Sequence, residues 1–516
     1  MTTTTSHRTT TRGLRPVLRA EWTKFRTVRG WLITLGVTVV LCVTFTFLVA
    51  NGTHAGICTG TGSTCRSGHP YVATGPDGEA VADSYQFVEQ PLTDNGTITA
   101  QVSSLTGLTS TIPVDAAPSL AHTRPGLAGW AKAGILLRPS TEQGSPYAAV
   151  MATGAHGVRF QDDYTHDHAG RPVSGTSARW LRLTRTGETV TGYESTDGAT
   201  WTRIGTAHLA GLPSTVHVGL FVTSPASFDR SGTGFPTQAT ATFDHVTVDG
   251  SGIRGAWRAQ SVGAQDFYPK LPGAGYHRAG GSFVLLGSGD IAPAVVQGLL
   301  GTNTPSSTIL FGLIVGLIAI IVIASMFITV EYRRGLIRTT FTATPRRHRV
   351  LAAKAVVIGA VAFLIGTLAA AVAVPLGEHL LRANGAYVFP AGALTMTRIV
   401  AGAGALVAVT AVAVLAVATI VRKSAGAIAA SIVVFVLPYI VGSSMSGGAE
   451  EWLFRLTPAA GFSVLGALPR SAQVAYPYTM ANGYYPLSWW AGLAVLCAYA
   501  ALALGIATVV LRRRDA

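Results

Sequence analysis

The stretch QDDYTHDH brings Asp162, Asp163, His166, Asp167 and His168 close together in the chain, and carboxylates and imidazoles are the donors that metal ions take. The spacing matches neither a calcium loop nor a zinc signature, and a solvated hairpin accounts for the same residues, so no metal is expected. Trp130, Trp180 and Trp201 are candidate ligand contacts that could stack on a sugar ring. They serve equally as core residues of a β-domain, the commoner place for such aromatics. Cys58 and Cys65 bracket CTGTGSTC, and in an oxidising compartment they would close a short loop. Cys42 and Cys497 lie inside apolar runs and read as small buried hydrophobes. Catalysis finds little support. The chain has no G-x-S-x-G elbow and no H-E-x-x-H, and scattered Asp and Glu do not single out a pair flanking a cleft. Lys24, Lys132, Lys270, Lys354 and Lys423 all follow a residue other than glycine, so the chain lacks a P-loop, and no cofactor is expected.

The chain that carries these residues is organised around membrane spans. Crossing a hydrocarbon core takes about 20 apolar residues in a helix. Six charge-free windows meet that length: Trp31 to Ala50, Ile309 to Val330, Ala355 to Leu376, Ile399 to Val421, Ala425 to Met445 and Ser488 to Leu511. Basic residues collect before the first window, after the second (Arg333 to Lys354), after the fourth (Arg422, Lys423) and after the sixth (Arg512 to Arg514). Positive residues near span ends stay cytoplasmic, so both termini are expected inside and residues 51–308 outside. The first window is longer than a signal-peptide core and no A-x-A site follows it, which favours a retained anchor. A net charge of +14 raises nucleic acid as a partner, but its basic clusters sit beside spans, where anionic lipid and an acidic cytoplasmic partner are the fitting counter-charges. Nucleic acid is therefore not expected.

Within 51–308, short alternating runs such as TITAQVSSL and WLRLTR are separated by turn residues. Strands at this spacing, without helical periodicity, predict an all-β sandwich or barrel. The segments WAKAGILLRPS, YAAVMATGAHGVRFQDDY and STDGATWTRIG resemble concanavalin-like and laminin-G-like jelly rolls over Asp83 to Asp249. Residues 250–308 either complete the sandwich or form a stalk. The stretch Glu450 to Leu487 is read either as a surface loop or as short re-entrant helices.

Two segments carry a second resemblance. RPVLRAEWTKFRTVRGWLITLG and EYRRGLIRTTFTATPRRHRVLAAKAVV look like the membrane subunits of actinobacterial type-2 ABC exporters, over Leu14 to Ala50 and Ile309 to Ala516. That resemblance implies an amphipathic helix before the first span and a coupling helix after the second that docks on a separate ABC ATPase. The coupling residues it singles out are Glu331, Arg333, Arg334, Gly335, Arg338, Pro345, Arg346 and Arg349. It also implies a second permease copy as partner. The large external insertion departs from simpler members of that family.

The expected architecture is thus an interface helix (1–30), a first span (31–50), an extracellular sandwich with linkers (51–308), a second span (309–330) and a cytoplasmic coupling segment (331–354). Four further spans follow (355–516), with an external loop at 446–487. The expected function is that of the permease subunit of an ATP-driven exporter, itself not an enzyme. The competing reading is a membrane-anchored extracellular protein that binds or senses glycan. Proton- or ion-coupled transport is disfavoured because the apolar windows contain no ionisable residue.

Overall fold

The computed structural model describes residues 14–52, 57–58, 65–66, 73–113, 119–171, 178–229, 233–250, 256–263, 271, 273, 275–294, 303–304, 312–343, 346–384, 387–443, 445, 449–468, 470–475 and 484–513. The chain divides into a β unit, made of 55–303 and 469–478, and a helical unit made of the rest.

The helical unit opens with α1 (Leu14–Thr27) and α2 (Arg29–Gly52). It continues with α3 (Gly312–Arg333), the short α4 (Leu336–Ala343), the long α5 (Arg347–Ala383) and α6 (Ala393–Val421). Then come α7 (Ser424–Phe435), α8 (Leu437–Ser443), α9 (Ala449–Leu456) and, last, α10 (Trp489–Arg513). Among the described residues, α2, α3, α5, α6, the α7–α8 pair and α10 are the six segments long and apolar enough to cross a membrane. Leu317 and Ile321 of α3, Ile358 of α5, Val407 and Val414 of α6, and Leu496 of α10 share one core. The fifth span breaks at Val436, just before Pro438. A proline is tolerated in the first turn of the new helix, where its missing N–H is not needed.

Several helices run on past the ends of their charge-free windows. Helix α3 runs on through Glu331 to Arg333, and α5 begins at Arg347, so Lys354 lies inside it, as does Glu378 near its far end. All three of Glu331, Lys354 and Glu378 are buried. Between α8 and α10 the described residues of the 450–487 stretch form α9 and a 3-10 helix (Pro458–Leu465), which begins with Thr457 accepting from the amide of Ala459 and is buried along its whole length.

In the β unit, the main strands of two antiparallel sheets among the described residues are β1 (Tyr85–Thr93), β2 (Gly96–Ser110), β3 (Lys132–Arg138), β4 (Ala148–Thr153), β5 (Val158–Asp162), β6 (His166–Ala169), β7 (Arg179–Thr186), β8 (Thr189–Ser195), β9 (Thr202–His208), β10 (Thr215–Thr223), β11 (Thr237–Gly250), β12 (Arg258–Val262), β13 (Gly275–Ala279) and β14 (Ser282–Gly287). One sheet has the order β6-β5-β4-β3-β10-β1-β12, the other β9-β8-β7-β2-β11-β14-β13, with Thr123–Pro125 also paired to β2. Alternate residues point inward, so Val88, Ile135, Val150, Phe160 and Val218 of the first sheet share a core with Ile98, Leu181, Val190, Phe243 and Leu285 of the second. Gly192 and Gly205 lie opposite each other in β8 and β9. A Cβ on either would meet the Phe160 ring at 2.3 or 2.4 Å, so the two glycines make the recess that this ring fills. A second apolar layer, with Tyr85, Leu136, Tyr147, Tyr164, Phe221 and Ile291, covers the other face of the first sheet. Of the described residues in 250–308, those in β12 extend one sheet and those in β13 and β14 extend the other.

Candidate functional site

The densest buried charge in the helical unit gathers where α1, α3 and α5 meet. Lys354 lies about two turns into α5, has no exposed side-chain surface, and donates to Glu21 Oε2 at 2.6 Å and to Glu331 Oε1 at 2.8 Å. Lys24, one turn beyond Glu21 on α1, reaches Glu21 Oε1 at 2.8 Å and Glu331 Oε1 at 3.3 Å. Two carboxylates and two ammonium groups thus balance. The Phe327 ring lies 4.5 Å from Lys354 Nζ, and Phe25 meets Phe327 edge-on at 5.5 Å, so the charges are walled by aromatics. Partial burial disfavours the Lys24 charge, but Glu21 and Glu331 outweigh it and raise the lysine above its ordinary value. Charges buried at this depth must be paired, and the pairing restricts geometry more than it adds net stability. Helix α1 is therefore fixed in register on α3 and α5 by Glu21 and Phe25, while Trp22 on its other side stays 46% exposed.

The loop that leaves this cluster carries the sequence-derived coupling residues, and they divide by environment. Glu331 is buried inside the cluster. Arg333 ends α3 and Arg334 follows it, both exposed, and Gly335 turns the chain with φ +67°, a backbone that favours glycine. Arg338 lies on α4. Arg346 is exposed and Arg349 half-buried at the start of α5, and Pro345 lies outside the described residues. Beside them, Arg347 Nη1 donates to the carbonyl of Leu511 at 2.9 Å, and Arg422, with φ +62° at the end of α6, lays its guanidinium 5.2 Å from the Tyr332 ring. The loop is thus held at both ends, with an exposed basic edge.

Sequence reading missed Glu21, Lys24 and Lys354 as a unit, because the two lysines were read as parts of separate basic segments and not as partners of an acid. The available signal was the acids: Glu21 is the sole carboxylate before the first span, and Glu331 the sole one between Ile309 and Lys354. A lone acid among so many bases has a partner to find.

In the β unit the three tryptophans are engaged within the chain. Trp130 is buried at 8% exposure and stacks on His156 at 3.8 Å. Trp180 stacks on His245 at 5.1 Å and Trp201 carries the Arg182 guanidinium at 3.8 Å. Each therefore has a ring face already covered. The acid and histidine stretch forms the β5–β6 hairpin. There His166 pairs with Asp162 at 3.0 Å, Asp167 is held by Arg159, and the His168 ring lies 6.1 Å from Phe160. Among the described residues no three His, Cys, Asp or Glu side chains come together in a metal-holding arrangement. The strands Ile57–Cys58 and Cys65–Arg66 pair with Cys58 directly opposite Cys65.

Three solved structures illustrate how far structural likeness reaches. A mutant of the GH43 protein BlXynB from Bacillus licheniformis is 14% identical, with a TM-score of 0.19, over 30% of this chain and 27% of its own, so the match spans about a quarter of that protein. A functionally unknown protein from Saccharomyces cerevisiae is 13% identical over 38% of this chain and 96% of its own, with a TM-score of 0.20. Scytalido-glutamic peptidase with a transition state analog inhibitor is 9% identical over 42% and 100%, with a TM-score of 0.24. No curated protein matches the chain significantly in sequence. The family comparison is decisive by its extent: the model of the ABC-2 family transporter protein matches residues 16–516, which takes in both units and the cluster around Lys354. This multi-pass membrane protein belongs to the ABC-2 family of transporter proteins.

Proposed function

We propose that the chain is the membrane-spanning subunit of an ATP-driven exporter, energised by a separate ABC ATPase that docks on the segment from Glu331 to Arg349. Family membership supports a transport subunit that is not itself catalytic and that implies an ABC ATPase partner. The observation that carries the docking surface is the exposed basic edge of Arg333, Arg334 and Arg346, attached directly to the Glu21–Lys354–Glu331 cluster. A push on that edge reaches α1, α3 and α5 together, because one lysine joins all three. In this reading both termini are cytoplasmic, consistent with the basic residues at those boundaries. A second permease copy completes the transporter, and lipid contacts the exposed side of α1.

The test is co-purification from detergent of the full chain with the ABC ATPase encoded beside it. Wild type is expected to retain the ATPase, and Arg333→Glu/Arg334→Glu to lose it while melting at the wild-type temperature. Retention by the charge-reversed chain would refute the docking surface; a wild type that never retains an ATPase would refute the exporter reading.

A further inference from the structure

The β unit is assembled from two separate pieces of chain, and the second, 469–478, is delivered from between the 3-10 helix and α10. Gln473 fixes that piece. It is 2% exposed, and its Nε2 donates to the carbonyl of Tyr164 at 2.7 Å. Burying a primary amide is unfavourable unless it is paired, and an apolar residue would fill the same volume without that requirement. The contact therefore specifies position.

What Gln473 holds is unusual backbone. Asp163 and Tyr164, in the turn between β5 and β6, both have left-handed conformation, with φ +42° and +60°. For a bulky residue this conformation is unfavourable and persists only where the surroundings over-determine it. They do so here. The Tyr164 ring is wholly buried and meets Tyr147 edge-on at 4.9 Å, and its hydroxyl donates to Asp83 Oδ2 at 2.8 Å. Asp83 pairs with the buried Arg138 at 2.9 Å, and Asp163 Oδ1 accepts from the amide of Tyr147 at 3.2 Å. Gln473 thus holds the backbone of a residue whose hydroxyl, at the other end of its ring, is bonded to the Asp83–Arg138 pair.

The elements on either side of the delivered piece are locked together. At Gly492 of α10 a Cβ would meet Ser463 Oγ at 1.9 Å and the Ala460 carbonyl at 2.1 Å, and at Gly461 it would meet Leu496 Cδ2 at 2.8 Å. The 3-10 helix and α10 touch backbone to backbone. We infer that residues 470–475 are a strap by which the sandwich grips the loop of this helix pair, so that displacement of the pair is carried to the Asp163–Tyr164 turn. This coupling is independent of where an ATPase docks.

The test is hydrogen–deuterium exchange of the full chain in detergent, read at the 158–169 hairpin. Gln473→Ala is expected to speed exchange there roughly fivefold, the loss of about one net hydrogen bond. Gly461→Ala, which perturbs the helix pair through the movable end of Leu496, is expected to change exchange in the hairpin. The same substitution is expected to have no effect there once 470–475 is replaced by a Gly-Ser stretch of equal length. Unchanged exchange in Gln473→Ala, or a Gly461→Ala effect that is absent with the native strap or survives its replacement, would overturn the inference.

Discussion

Lys354 shows how much one side chain can hold. It is fully buried, bonded to two carboxylates from two other helices, and backed by Phe327. Lys354→Met leaves Glu21 and Glu331 buried with only the half-exposed Lys24 between them. Breaking a buried pair from one side costs about 3–5 kcal/mol, so the substituted chain is expected to melt well below wild type in detergent. Glu21→Gln/Glu331→Gln/Lys354→Met, which removes all the charge that Lys354 balances, is expected to recover much of that loss. A single variant with the wild-type melting temperature would show that the cluster is solvated and leaves α1 unfixed. At this scale the sequence displayed charge but not pairing. Arg333 and Glu331 stand two positions apart and look alike as boundary residues, yet one is exposed and the other buried, because successive positions on a helix face different directions. The tryptophans are similar. Their ring size was legible, whereas the His156, His245 and Arg182 partners that cover them come from elsewhere in the chain.

Elements were the most legible level in their middles and the least legible at their ends. Counting apolar residues stops at the first charge, whereas α5 continues eight residues before Ala355, from Arg347, and on to Ala383, because Lys354 and Glu378 find partners at Glu21, Glu331 and Arg382. Close packing was also hidden. Helices α5 and α6 cross with Gly366 against Gly404: a Cβ at Gly404 would lie 2.1 Å from Thr367 Oγ1 and 2.8 Å from the Phe363 carbonyl. Small residues let helix backbones approach where no aqueous hydrophobic force drives association. Gly404→Val is therefore expected to push the two helices apart at a cost of about 1–3 kcal/mol, seen as a lowered melting temperature and faster exchange in both. Gly505→Ala on α10, where an added Cβ meets nothing within 4 Å, is the matched control and is expected to melt as wild type. Equal melting of the two variants would show that the Gly366–Gly404 approach is loose. Glycines recur throughout these spans in the sequence, and nothing in their spacing tells the crowded one from the open one.

For the whole molecule, the order of parts was readable from charge and periodicity: a span, a large β-rich insertion, then five further spans. The return of 469–478 to the β unit was not, since one buried amide bonded across 309 positions of sequence leaves no local pattern. Orientation rests on the same charge logic and can be tested through the cysteines. Residues directly opposite in an antiparallel pair have Cα atoms about 4.5–5.5 Å apart, within the roughly 4.4–6.8 Å that a disulfide spans, and Cys58 lies opposite Cys65 in this way. The proposed disulfide predicts that a membrane-impermeant maleimide adds nothing to these two thiols in intact cells until a reductant is supplied, and then labels both. Cys42 is buried and Cys497, exposed and not buried as its apolar run suggested, lies within the membrane-spanning α10 out of reach of an aqueous reagent, so Cys58→Ser/Cys65→Ser is expected to remove all labelling. Labelling before reduction would leave the insertion external but the thiols unbonded. Absence of labelling after reduction, with labelling restored by permeabilising the cells, would reverse the orientation and place the Arg333–Arg334 edge outside, where no ATPase could reach it.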